Sequence, residues 1–243
     1  MAARPAFVTG GALVALAALC WVWLWQAPMP MPASSGGLHT LHYFAVTYLM
    51  WSVMMVGMMT PSVAPTVTLF GRVNRHGAPA TATARTAAFA GGYLLAWLGF
   101  SLLATVLQIA LIDAGWSDAM GVSARPVLTA GLLLAIGIYQ WLPAKRACLA
   151  HCRSPAAFLV AAHRPGVAGA LQMGLRHGLY CIGCCWGLML LLFVGGVMNL
   201  LWVAAIAALV LAEKLLPHGD LLRRLAGIAA LLAAIAVLCA QRA

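Results

Sequence analysis

Acidic side chains are nearly missing from this chain of 243 residues: three aspartates, Asp113, Asp118 and Asp220, and one glutamate, Glu213. Charged residues of both signs reach only 7%, where a soluble domain carries about a quarter. That scarcity excludes an ordinary water-soluble fold, which needs a charged exterior. No basic run interleaved with aromatic residues is present, which argues against nucleic acid as a partner. No internal repeat of the transporter kind and no second domain can be read.

What fills the chain instead is apolar. Hydrophobic residues make up 64% of it, with a mean hydropathy of +0.98. A fold of this length cannot bury so much apolar side chain, so lipid must be the solvent for most of it. Runs of about 20 apolar residues bounded by turn or charge signals predict an all-α bundle of about seven transmembrane spans in a single integral membrane domain, 1–243. The spans are expected near 6–25, 41–70, 86–112, 127–142, 177–194, 198–216 and 221–240. A Pro-rich stretch from Gln26 to His39 follows the first. A polar loop, 143–176, separates the fourth and fifth and is expected to contain a short amphipathic or re-entrant piece. The first span is expected to be kept as an anchor, because Trp21, Trp23 and Trp25 suit an interface better than a cleavage site.

The net charge of +10 supports this layout. Arg4, Arg72, Arg75, Arg85, Lys145, Arg146, Arg153, Arg164, Arg176, Lys214, Arg223 and Arg224 all fall on one side if seven spans cross; only Arg125 and Arg242 fall on the other. The positive-inside rule then puts the N-terminus in the cytoplasm.

Four groups of residues carry chemistry. Met50, Met54 and Met58 line one stripe of the second span, with Met55 and Met59 beside it. Thioethers are soft ligands that select Cu(I), but methionine is also a gap-filler in cores. Pro61 is expected to kink this helix just below the methionines. In the polar loop, Cys148 and Cys152 are four apart, His151 lies between them, and Lys145, Arg146 and Arg153 surround them. Thiols in such electropositive settings are reactive.

The densest group is His177, Tyr180, Cys181, Cys184, Cys185 and Trp186, with Met189 one turn on. One helix face can present an imidazole and two or three thiols. The fourth group is Glu213-Lys214, either a functional ionisable pair or an interfacial one with a snorkelling lysine. Cys20 and Cys239, alone in apolar runs, read as small buried apolar side chains.

If the fifth span starts at His177, Cys181 lies about 6 Å into it, which places the thiols near the cytoplasmic face. One site then needs only the polar loop to fold back against the second and fifth spans. Cys148, Cys152, Cys181 and Cys184 or Cys185 would be the main ligands. His177, His151, Met58 and Met59 are further candidates, and Lys145, Glu213, Met189, Tyr180 and Trp186 stand around them. Copper(I) suits thiolate and thioether together; zinc, or no metal, stays open.

The motifs Met58-Met59-x-Pro61-Ser62, Lys145-x-x-Cys148-x-x-x-Cys152-Arg153-x-Pro155, and Gly178-x-Tyr180-Cys181-x-Gly183-Cys184-Cys185-Trp186-x-x-Met189 resemble those of the DUF2182 family. Gly195-x-Val197-Met198-Asn199 and Glu213-Lys214 also fit, so the resemblance runs from the second span to the seventh. It implies a bacterial inner-membrane protein that binds metal, in a family sometimes labelled copper chaperones. The function expected is soft-metal handling at the membrane, with a membrane or periplasmic metalloprotein as partner. A thiol–disulfide oxidoreductase using Cys181/Cys184 and Cys148/Cys152 is the alternative. A metal-dependent oxidase and a scaffold without metal stand behind these.

Overall fold

The computed structural model describes residues 4–26, 41–118 and 121–241, and the side chains from Thr9 onward. The described residues are helical almost throughout: α1 (Arg4–Gln26), α2 (Leu41–Gly77), α3 (Ala82–Asp113), α4 (Pro126–Trp141), α5 (Pro143–Arg153), α6 (Pro155–Ala161), α7 (Gly166–Met189), α8 (Leu192–Gly195), α9 (Leu200–Leu215) and α10 (Gly219–Ala240). The Pro-rich stretch expected after the first span lies, beyond Gln26, outside the described residues.

Five stretches are long and apolar enough to cross a membrane: Thr9–Gln26, Leu41–Gly77, Pro79–Asp113, Gly166–Gly195 and Gly219–Ala240. A sixth is added if α4 and α5 count as one broken span. Helix α9 sits where the sixth expected span falls, but is only 16 residues long.

Proline sets several boundaries. Pro126, Pro143 and Pro155 each stand at the start of a helix, where the missing N–H costs nothing. Leu142, before Pro143, is held extended (φ −65°, ψ 140°), as a residue preceding proline prefers. The chain therefore bends by 64° between α4 and α5. Pro61 and Pro65, by contrast, lie inside α2, which remains one continuous helix around them.

The largest departure from the sequence reading is the segment 143–176. It is not a polar loop followed by a span at His177. It forms α5, α6 and the first eleven residues of α7, which begins at Gly166. Most of its polar residues are exposed on one face of these helices, whereas Lys145 and Leu149 of α5 are buried.

Helix α7 packs along α3 at very short range. A Cβ at Gly92 would overlap the carbonyl of Leu171, and one at Gly174 would overlap that of Phe89. Small residues permit this approach between apolar helices, where lipid supplies no hydrophobic drive for association. Helices α4 and α10 pair separately, with Gly137 against Leu231 and Gly227 against Trp141. Helix α5 turns back onto α7 and α9, and α6 onto α2. The core between them contains Trp51, Met54, Met55, Met59, Phe89 and Tyr93, all fully buried.

Candidate metal centre: a five-helix convergence of thiols and buried charge

The functional side chains come from α2, α3, α5, α7 and α9. Helix α7 supplies Cys181, Cys184 and Cys185, all buried. Cys181 stands fifteen residues beyond Gly166, about 22 Å along the helix. The thiols are therefore deep in the molecule and not a single turn from its end, as a start at His177 would have it. Both Cys184 and Cys185 turn their Sγ to the carbonyl of Cys181, at 3.1 and 2.9 Å.

Helix α5 brings a fourth thiol. Cys152 Sγ lies 3.9 Å from Cys184 Sγ. Cys148, one turn earlier, lies against Gly183: a Cβ there would come within 2.7 Å of its Sγ. The expected folding-back of the 143–176 segment is thus seen, but through a helix and not a loop.

Two lysines are buried near the thiols: Lys145, paired with Glu213 of α9, and Lys214, the next residue of that helix. Glu213 faces one way and Lys214 the other. Glu213 Oε2 accepts from Lys145 Nζ at 2.7 Å, and its Oε1 accepts from Gln140 Nε2 at 3.2 Å. Lys145 also donates to Gln140 Oε1, and Arg223 donates to the Gln140 carbonyl. This closed network bolts α5 to α4, α9 and α10.

Lys214 reaches into the thiol site instead. Its Nζ donates to Cys181 Sγ at 2.9 Å and to Ser62 Oγ of α2 at 3.1 Å. None of the ion pairs among the described residues includes Lys214. An ammonium buried without a counter-charge is very costly, and the group it touches is a sulfur. Lys214 is therefore placed to balance the negative charge of a thiolate, the form in which cysteine binds metal.

Tyr93 of α3 completes the ring. Its Oη lies 3.0 Å from Cys181 Sγ and 3.4 Å from Ser62 Oγ, and it donates to the Met59 carbonyl at 3.2 Å. The hydrogen bonds thus tie α2 to the thiols through Ser62 and the Met59 backbone. Met58 and Met59 are themselves buried in the shared core, as is Met189 at the end of α7.

Other expected members stand apart. His151 stacks on Tyr180 with ring centroids 4.2 Å apart, and its Nδ1 pairs with the Ala147 carbonyl, so it faces outward from the thiols. Trp186 packs edge-on against Tyr139 and is partly exposed. His177 is buried between the rings of Phe89, Tyr93 and Phe158. Cys20 is buried against Gly57, whereas Cys239 is exposed on α10, contrary to expectation. That helix packs on α4 and α9 with its other face.

Tyr93 and Gln140, which the spacing of motifs does not single out, are joined to the candidate site by hydrogen bonds, as is Ser62 of the Met58–Ser62 motif. The available signal was polarity in an apolar run: a hydroxyl or amide deep in such a helix requires a partner.

The donors are sulfur, the ligand type of soft ions. Cys152 and Cys184 are 3.9 Å apart, a separation that two thiolates each about 2.3 Å from one zinc ion would also have. No group of three or more His, Cys, Asp or Glu side chains among the described residues is arranged as a ready metal cage. Thiolate and thioether sulfur are the ligand types that select Cu(I). No curated protein and no solved structure matches the chain. Residues 48–237, which include the thiols, the buried lysines and Tyr93, match the family model PpoB2, described as copper chaperone, and the chain belongs to that family.

Proposed function

We propose that this protein is a membrane-embedded copper carrier that holds Cu(I) among Cys152, Cys181, Cys184 and Cys185 and passes it to a partner metalloprotein. Copper is its cargo. The observation that carries the reading is the meeting of four thiols from α5 and α7 with the ammonium of Lys214. Cys148 stands at the edge of the set, Tyr93 and Lys214 orient Cys181 with Ser62 bonded to both, and the Lys145–Glu213 pair holds α5 in place.

The membrane setting rests on the apolar helices and on an outer surface that exposes Leu103, Leu201 and Leu232, among many large apolar side chains. Helices α4 and α9, at about 24 Å each, are shorter than the hydrocarbon core of about 30 Å. We take both as spans because seven crossings keep the basic loop residues other than Arg125 and Arg242 on one side. The same rule supports a cytoplasmic N-terminus, and the resemblance to the bacterial family supports an inner-membrane location.

The test is elemental analysis of detergent-purified protein from copper-replete cells. Wild type is expected to retain copper, and the Cys181→Ser, Cys184→Ser, Cys185→Ser triple variant to lose most of it. Equal copper in the two would end the reading.

A second reading, thiol–disulfide exchange, draws on the 3.9 Å between Cys152 and Cys184. The pair would then be Cys152–Cys184, across α5 and α7, and not the two pairs along single helices that spacing suggests. Both thiols would lose their protons and two electrons to a partner's disulfide, which leaves as two thiols. Thiol trapping across a range of redox poise decides it: a bridge between these two cysteines supports the exchange, and thiols that stay reduced throughout remove it.

A further inference from the structure

Helix α7 repeats soft donors at four-residue steps: Met173, His177, Cys181 and Cys185. All four are buried. Residues at this spacing stack on one face about 6 Å apart, and each side chain leans toward the helix N-terminus. Cys181 thus leans over His177, and His177 over Met173.

His177 is 2% exposed, yet its Nδ1 has no hydrogen-bond partner among the described residues. Buried polar atoms are nearly always partnered. The ring sits against Phe158, with centroids 4.8 Å apart, and near Tyr93 and Phe89. An imidazole nitrogen left open in an aromatic cage, next to a thioether, is a ligand pair for a soft monovalent ion.

Met173 opens this ladder to the outside. It lines a cavity of about 280 Å³ together with Phe70, Asn74, Arg85, His163 and Arg164. We propose that Met173 and His177 form a second Cu(I) station, joining this cavity to the thiol site. The proposal rests on the copper reading above. The cavity's lining includes two arginines and no carboxylate, so it suits copper that arrives as an anionic thiolate complex. Transfer is ligand exchange without redox change. One bond from copper to its carrier sulfur breaks as a bond to Met173 or His177 forms, and the carrier leaves as its thiolate. Cu(I) then moves from imidazole and thioether to the thiolates of Cys181 and its neighbours, which bind it more tightly.

The test uses full-length protein in detergent and a Cu(I)–glutathione complex as the copper source. In the Cys181→Ser, Cys184→Ser, Cys185→Ser background, residual copper should show mixed nitrogen and sulfur ligation by X-ray absorption. It should disappear when Met173→Leu and His177→Phe, which preserve shape, are added. Absence of residual copper, or residual copper indifferent to these changes, overturns the station. In the cysteine-intact protein, the same two substitutions should slow loading by about tenfold or more, and His177→Met should restore it. An unchanged loading rate also overturns the station. A wild type without cysteine-dependent copper would overturn the copper reading itself, whereas failure confined to Met173 and His177 leaves that reading standing.

Discussion

Glu213→Leu will destabilise the protein by about 3–5 kcal/mol, because it leaves a fully buried ammonium without its counter-charge. Lys145 has no exposed surface and Glu213 is 2% exposed. Their 2.7 Å contact is the one ion pair among the described residues in which both partners are buried. Gln140 bonds both partners, so the loss spreads to a third buried side chain. Thermal unfolding in detergent reads the effect directly. The double variant Lys145→Met, Glu213→Leu should recover most of the loss, since apolar replacement of a whole buried pair is commonly neutral or better. A single variant that unfolds at the wild-type temperature would show that the pair does not hold α5. If α5 is released, Cys148 and Cys152 leave the site, so the single variant should also retain less copper.

Lys214→Met will weaken Cu(I) binding by roughly ten- to a hundredfold, the equivalent of about 1.5–3 kcal/mol for a hydrogen bond to a charged group. The argument is electrostatic. Lys214 is buried, touches Cys181 Sγ at 2.9 Å, and forms none of the ion pairs described above. A methionine keeps the length and apolar stem of the side chain but removes the charge. Competition with a coloured Cu(I) chelator measures the change. Ser62→Ala separates charge from hydrogen bonding: it deletes one acceptor of the ammonium and keeps the cation, so its effect should be the smaller. If Cys181 were a neutral thiol, Lys214→Met would relieve an uncompensated buried cation. The protein would then become more stable with copper binding unaltered, and the charge-balancing role would be lost.

The two predictions also show why neighbouring residues had to be separated in space. Glu213-Lys214 reads in the sequence as one unit, a carboxylate beside an ammonium. On α9, adjacent residues point about 100° apart, and each found its partner on a different helix. Glu213 serves the α5 anchor and Lys214 the thiols. The same geometry explains His151 and Cys152: one step apart on α5, the imidazole lies outside against Tyr180 and the thiol lies inside against Cys184.

Composition and local pattern by themselves determined the all-helical architecture, the apolar stretches and the cluster of thiols on one helix face. These depend on hydropathy summed over a turn or more, and on spacing within a single helix. Tertiary structure alone decided the rest. The 143–176 segment looked like a loop because its lysine, arginines and cysteines break the apolar run, and a charge that ends up buried against Glu213 is indistinguishable in sequence from one facing water. Which cysteine of α5 meets which of α7, and that Tyr93 and Ser62 close the site around Cys181, depend on where α5 lands after the bend at Leu142–Pro143. That landing is set by packing and by a buried ion pair between residues 68 apart in the chain, a separation no local pattern can span.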